Sequence, residues 1–246
     1  MAVEPVVFLV PAVLFLSSLT RAAFGFGDAL LAMPLLAMLV GVRTAAPLVA
    51  LVAGVLAASI LISSWRHVRP ASAWRLILGG LAGIPLGLWF LRGAHETLMK
   101  LALAAGLIAY SAYSLIRPRL PRLKNDNPAF LFGFAGGILG GAYNTNGPPV
   151  VIYGALRRWS PASFRATLQG YFLPSGLLIL AGHGAAGLWT TRVLHLFLIS
   201  LPATLAAVWL GERINRRIPP GRFDRLVNGI LLLIGGLLLA QTLLSG

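Results

Sequence analysis

The sequence predicts an all-α integral membrane protein. Its eight to ten transmembrane or half-helical segments form two inverted-topology repeats, with broken helices at the centre. Three observations carry this reading. Of 246 residues, 58% are apolar and 11% charged, less than half of the roughly 25% that a soluble domain uses to keep its surface wet. Lys and Arg number 20 against 6 acids, for a net charge of +14. These basic residues sit in short loops between apolar runs, where they report topology rather than a nucleic-acid partner. Finally, two stretches rich in Gly, Asn and Pro interrupt the apolar runs at matching places in the two halves.

The same counts exclude an ordinary soluble enzyme, a disordered chain and a fibrous repeat. With no cysteine, there is no disulfide framework, thiolate nucleophile or Cys-ligated metal. Four scattered histidines have no acid at ligand spacing, so neither metal nor cofactor is expected. The start, Met1-Ala2-Val3-Glu4-Pro5, lacks a positive n-region and is not read as a cleaved signal.

Charge-free windows place the elements: 5–20, 29–42, 44–65, 76–91, 101–116, 127–156, 166–191, 193–211 and 226–246. A crossing helix needs about 20 apolar residues, with tolerance to about 17. The window 127–156 is too long for one span and is cut by Asn144-Thr145-Asn146-Gly147-Pro148-Pro149. Ten segments follow, at 6–20, 27–41, 44–63, 75–92, 97–116, 129–142, 148–157, 165–183, 188–210 and 223–245. Three of them, 6–20, 129–142 and 148–157, are too short to cross alone. The pairs 6–20/27–41 and 129–142/148–157 therefore read as re-entrant hairpins or full spans. Irregular backbone at membrane depth is tolerated only against protein or a watery cavity, so the breaks are where function is sought.

Threading the segments alternately puts 16 basic residues on one side and Arg43, Arg92, Lys100 and Arg192 on the other. The rich side is cytoplasmic, which makes this a multi-pass protein of the inner (cytoplasmic) membrane with both termini outside. Weak matches recur between the halves at offsets of 119 to 122 residues: Gly25–Asp28 with Asn144–Gly147, Arg43-Thr44 with Arg165-Ala166, Leu88-Trp89 with Val208-Trp209. Each half has an odd number of crossings, so the second enters from the opposite face. The division is 1–117 for the N-terminal repeat, 118–128 for a cytoplasmic linker and 129–246 for the C-terminal repeat.

The breaks supply the candidate site. Asn144, Thr145 and Asn146 suit N-caps, and Pro suits the first helical turn, so a half-helix starts at Gly147 with its positive end in the membrane. Such an end favours anions. Gly25 and Gly27 permit close backbone approach, and Asp28 suits either a helix cap or proton or cation coupling. Arg21 suits an oxyanion through its planar fork, or a snorkelling anchor. Gln169, Tyr143, Tyr153 and Tyr171 suit polar cavity walls or interhelical bonds. Gly79-Gly80, Gly83 and Gly87 read as a helix-packing face, and His183 and His195 as interfacial.

The spacing Gly25-x-Gly27 with Pro34 downstream, together with Gly136…Gly140…Asn146-Gly147-Pro148-Pro149-Val150-Val151, resembles the sulfite exporter TauE/SafE family. The chain departs from the family pattern at Phe26-Gly27-Asp28, where three small residues are usual, and at Asn144 and Asn146, where glycines are. The resemblance implies transport of a sulfur-containing anion such as sulfite, sulfoacetate or another organosulfonate. The residues alone reach a transporter with an anion-friendly centre. The leading reading is a secondary transporter coupled to an ion gradient. Substrate-binding candidates are Arg21, Gly25, Gly27, Asn144, Thr145, Asn146, Gly147 and Gln169, with Asp28 as the coupling group. The alternatives are an anion channel or a carrier for a small carboxylate; a membrane hydrolase ranks last, because Asp28 stands without a second catalytic group. The partners are a small anion and the lipid bilayer, with no nucleic acid, and a homodimer stays open.

Overall fold

The computed structural model describes residues 6–116, 122–215 and 222–245. Ten α-helices follow one another: α1 Val6–Phe24, α2 Asp28–Val40, α3 Val42–Ser64, α4 Pro70–Gly93, α5 Glu96–Ile116, α6 Ala129–Tyr143, α7 Gly147–Leu156, α8 Pro161–Ala185, α9 Thr191–Asn215 and α10 Arg222–Ser245. One 3-10 turn, Trp65–His67, joins α3 to α4. Among the described residues there is no strand. The protein is an all-α, multi-pass membrane protein. Among the described residues, five helices are long and apolar enough to cross: α1, α4, α5, most of α3 (Val42–Ile62) and most of α9 (Thr191–Ile214). The short ones are α2 with 13 residues, α6 with 15 and α7 with 10.

The length of the first segment is corrected. Segment 6–20 was to be too short to cross, yet α1 has 19 residues and runs on through Arg21 to Phe24. A charge ends a membrane helix only when it must reach water, and Arg21 is neutralised inside the protein. The basic residues Arg117, Arg119, Arg216 and Arg217 and both chain ends, on which the topology reading partly rests, lie outside the described residues.

Two helix pairs are locked by missing side chains. A Cβ on Gly79, Gly83 or Gly87 of α4 would collide with the carbonyl oxygens of Phe130, Phe134 and Ile138 of α6. In return, Gly133, Gly137 and Gly141 of α6 would collide with those of Leu76, Gly80 and Ile84. Small residues allow this approach, and dispersion and weak polar contacts hold helices together where lipid offers no hydrophobic drive. α1 meets α9 in a similar way, at Gly211 against Ala22 and the Leu19 carbonyl. α3 packs on α8, and α5 on α10. Exchanging α1–α5 for α6–α10 in order turns the α1–α9 pairing into α6–α4 and returns the other two pairs to themselves.

The same packing corrects the placement of His183. It is fully buried near the end of α8, beside Gly141, because glycine contacts bring α4, α6 and α8 together there. His195 is exposed on α9.

Beyond α5, the chain is pinned by Asp126. Its Oδ1 accepts from Ser72 Oγ of α4 at 2.7 Å and Tyr153 OH of α7 at 2.6 Å. Arg157 Nε lies 3.2 Å from the same oxygen, and Arg157 also donates to the Leu123 carbonyl. Burial alone would raise the Asp126 carboxyl, but the bonds from Tyr153 and Ser72 and the charges of Arg157 and Arg75 outweigh it and hold it below its ordinary range.

Candidate functional site

The first break is made by glycine. Gly25 and Gly27 have φ of +89° and +100°, the left-handed region that costs an L side chain about 1–2 kcal/mol. The chain leaves α1 with Gly25 N–H donating to the Arg21 carbonyl and starts α2 one residue after Gly27. Asp28 was offered as a cap, yet the N-cap is Gly27 and no side chain caps the helix. The carboxylate turns instead to Arg21, with Nη1 at 2.8 Å from Oδ2.

That pair is shut away from solvent, its side chains 4% and 9% exposed. Arg21 Nη2 donates to Gln169 Oε1 at 2.9 Å, and Gln169 Nε2 donates to the Gly25 carbonyl at 2.6 Å. The Phe172 ring lies 4.8 Å from the guanidinium carbon, and Arg21 Nε has no hydrogen-bond partner among the described residues. The snorkelling alternative for Arg21 is therefore excluded by its burial. A cation at depth needs a counter-charge, and Asp28 supplies it.

The second break uses other means. Asn144 ends α6 in the left-handed conformation, φ 54°, with its N–H on the Gly140 carbonyl at 2.7 Å. It is thus a C-cap rather than the N-cap proposed, a role Asn fills because its short side chain tolerates that region. The Thr145 hydroxyl turns back to the Leu139 carbonyl at 3.5 Å. Asn146 is the N-cap of α7 without a side-chain cap bond; its Nδ2 donates to Ser175 Oγ at 3.3 Å. All three are buried. Gly147 opens α7, and the two residues after it are Pro148 and Pro149. Prolines carry no N–H, so the start of α7 presents fewer amides than an ordinary helix start.

The two breaks converge on one helix. Gln169 of α8 reaches the first, Ser175 reaches the second, and Phe172 lies between them. The Phe172 ring covers Arg21 on one side, and its Cζ would stand 3.7 Å from a Cβ on Gly147 on the other. Every candidate, Arg21, Gly25, Gly27, Asp28, Asn144, Thr145, Asn146, Gly147 and Gln169, therefore falls in one region bridged by α8. The tyrosines do not join it: Tyr143 bonds the Met99 carbonyl, Tyr171 the Gly133 carbonyl and Tyr153 Asp126.

Three residues of this region were not singled out for chemistry. Phe172 and Ser175 follow Gln169 at helical spacing of three, so they share its face; that periodicity was the available signal. Arg165 sits at the edge of a charge-free window. Its Nη2 donates to the Ala22 carbonyl at 3.0 Å, and its Cγ lies 3.0 Å from where a Cβ on Gly25 would be.

Comparison with known proteins agrees with this architecture. A family model described as sulfite exporter TauE/SafE matches residues 10–238. The chain is 25% identical over 179 residues to a Cupriavidus necator protein described as "Probable sulfite/organosulfonate exporter TauE", covering 71% of this chain and 68% of the relative. No solved structure matches.

Proposed function

The chain belongs to the sulfite exporter TauE/SafE family, and from that premise we propose that it is a secondary transporter. It moves a small sulfur-containing anion, sulfite, sulfoacetate or another organosulfonate, across the cytoplasmic membrane and is coupled to an ion gradient. One observation carries the reading: a buried guanidinium with an unpartnered Nε–H stands where two helix breaks meet. An anion leaving water must find replacement donors at depth. Arg21, the α2 amides and the Asn144–Gly147 turn are the donors on hand, and a guanidinium fork suits a sulfonate.

The helix pairing supports two inverted repeats, 1–117 and 129–246, joined by the linker 118–128. The exchange of α1–α9 for α6–α4 is what a two-fold relation between the halves requires. The basic split supports cytoplasmic loops at 64–75, 117–128 and 211–222 with outward termini; reporter fusions at Gly246 active only in the cytoplasm overturn that orientation.

The test is binding of sulfite, alkanesulfonates and carboxylates to purified protein, with counterflow in proteoliposomes. A sulfonate should bind, saturate and exchange. Preference for carboxylates overturns the substrate class, and flux without saturation or counterflow makes the protein a channel. Asn144→Ala, Asn146→Ala and Arg21→Lys should each bind about ten- to hundredfold more weakly, the cost of one hydrogen bond to a charged ligand, about 1.5–3 kcal/mol. Wild-type affinity in all three places the site elsewhere.

A further inference from the structure

We infer that Asp28 occupies the place on Arg21 that the anion takes, so that anion binding requires a proton on Asp28. The inference rests on the transport reading above and adds its coupling rule. The geometry is that of a site already filled. Arg21 Nη1 holds Asp28 Oδ2 at 2.8 Å, Nη2 holds Gln169, and both charged side chains are buried. Of the guanidinium edges that could receive two oxyanion oxygens, one already carries a carboxylate oxygen.

Charge decides between the ways an anion could enter. With Arg21 and Asp28 paired, the centre is neutral. An anion added to Nε while Asp28 stays ionised leaves one uncompensated negative charge in a buried site, a state whose desolvation is costly. If a proton from water binds Asp28 as the anion binds Arg21, the centre is neutral again. Empty and loaded carriers then carry the same net charge, and both can reorient at membrane depth. On release, the carboxyl returns its proton to water and re-forms the pair. The Phe172 ring and Gln169 hold the guanidinium in place while its partner changes.

The surrounding charges leave this role to Asp28. On α8, Arg165 bonds the Ala22 carbonyl and lies within the field of Glu212 of α9. His183 lies about 21 Å further along α8 than Gln169 by helix rise. On α5, Glu96 pairs with Lys100 and lies beside Gly41, at the other end of α2 from Asp28, and Tyr110 is buried. On α3, Arg43 bonds the Arg92 carbonyl. On α9, His195 and Arg213 are exposed. Among the described residues of these elements, Asp28 is the carboxylate that touches Arg21.

The experiment uses an alkanesulfonate, which stays ionised throughout about pH 5 to 8, so that any proton taken up comes to the protein. By linkage, one proton per anion weakens binding about tenfold per pH unit wherever Asp28 is ionised in the free protein. In weakly buffered solution, wild-type protein should take up about one proton per sulfonate bound. Asp28→Asn should bind more tightly than wild type, with no pH slope and no proton uptake. Sulfonate binding by wild type with no proton uptake, or with the same slope in Asp28→Asn, overturns the inference and leaves the transport reading standing. Should Asp28→Asn not fold, the wild-type proton count decides alone. Absence of any sulfonate binding by wild type overturns the transport reading instead.

Discussion

The two helix breaks use one backbone device for different chemistry. At the first, glycines in the left-handed region turn the chain, and a buried Arg21–Asp28 pair sits against the start of α2. At the second, Asn144 makes the turn, and the side chains that meet there, Asn146 and Ser175, are neutral. The starts of the half-helices differ as well. At the start of α2 the N–H groups of Gly27, Asp28, Ala29 and Leu30 precede the helical bond of Leu31 to the Gly27 carbonyl. α7 has prolines at two of the four equivalent positions. The difference teaches that a helix start alone does not define the site. The first break carries a buried ion pair, whereas the second offers a neutral set of dipoles.

The sharpest way to break this comparison is to strand a charge. Arg21→Ala leaves Asp28 buried and unpaired, which should cost about 3–5 kcal/mol of stability. Arg21→Met with Asp28→Leu removes both charges and should recover most of that loss while abolishing anion binding. Denaturation in detergent micelles reads the first effect, and ligand titration the second. An Arg21→Ala protein as stable as Asn146→Ala would mean that the pair is not confined as the structure has it.

How much of this was legible in the chain follows from the same contrast. The ten helices could be placed from nine charge-free windows, with 127–156 cut in two at Asn144–Pro149. That rule failed at Arg21, where the charge is cancelled seven residues later by Asp28, so α1 continued past the expected end. Both breaks could be read from Gly, Asn and Pro, whose backbone chemistry is local. The partners across the break could not. That Gln169, 148 residues from Arg21, closes the pair depends on α8 side chains reaching the end of α1. The sequence placed Gln169 in a long apolar window but not beside Arg21. Asp28 was misassigned as a candidate cap for a related reason: an Asp at a helix start ordinarily serves the backbone, but a buried guanidinium is the stronger partner.

A smaller effect separates the turns themselves. Gly25→Ala adds a Cβ at φ +89° and 3.0 Å from Arg165 Cγ, and should cost about 1–2 kcal/mol from the backbone alone. Asn144→Gly removes a side chain from the same backbone region and should be near neutral in stability, because Gly occupies it freely. Equal losses from the two substitutions would show that the turns are held by packing rather than by backbone preference.

The smallest effect concerns what anchors each half-helix at its far end. The α2 end at Gly41 lies beside the Glu96 carboxylate, whereas α7 is tied through Tyr153 and Arg157 to Asp126 of the linker. The folded protein holds Asp126 below its ordinary value of 3.8. The sign follows: a carboxylate depressed on folding contributes stability that is present above its unfolded value and is lost as pH falls through the folded one. Acid below about pH 4 should therefore loosen α7 before it affects α2. Hydrogen exchange across pH 3 to 6, in wild type and Asp126→Asn, tests this: wild-type α7 amides should lose protection as pH falls through the lower part of that range. Asp126→Asn should show the weaker protection at every pH, because its bonds to Tyr153 and Arg157 no longer carry charge. Acid sensitivity equal in α2 and α7, or unchanged by Asp126→Asn, would assign it to another carboxylate and leave the two half-helices anchored alike.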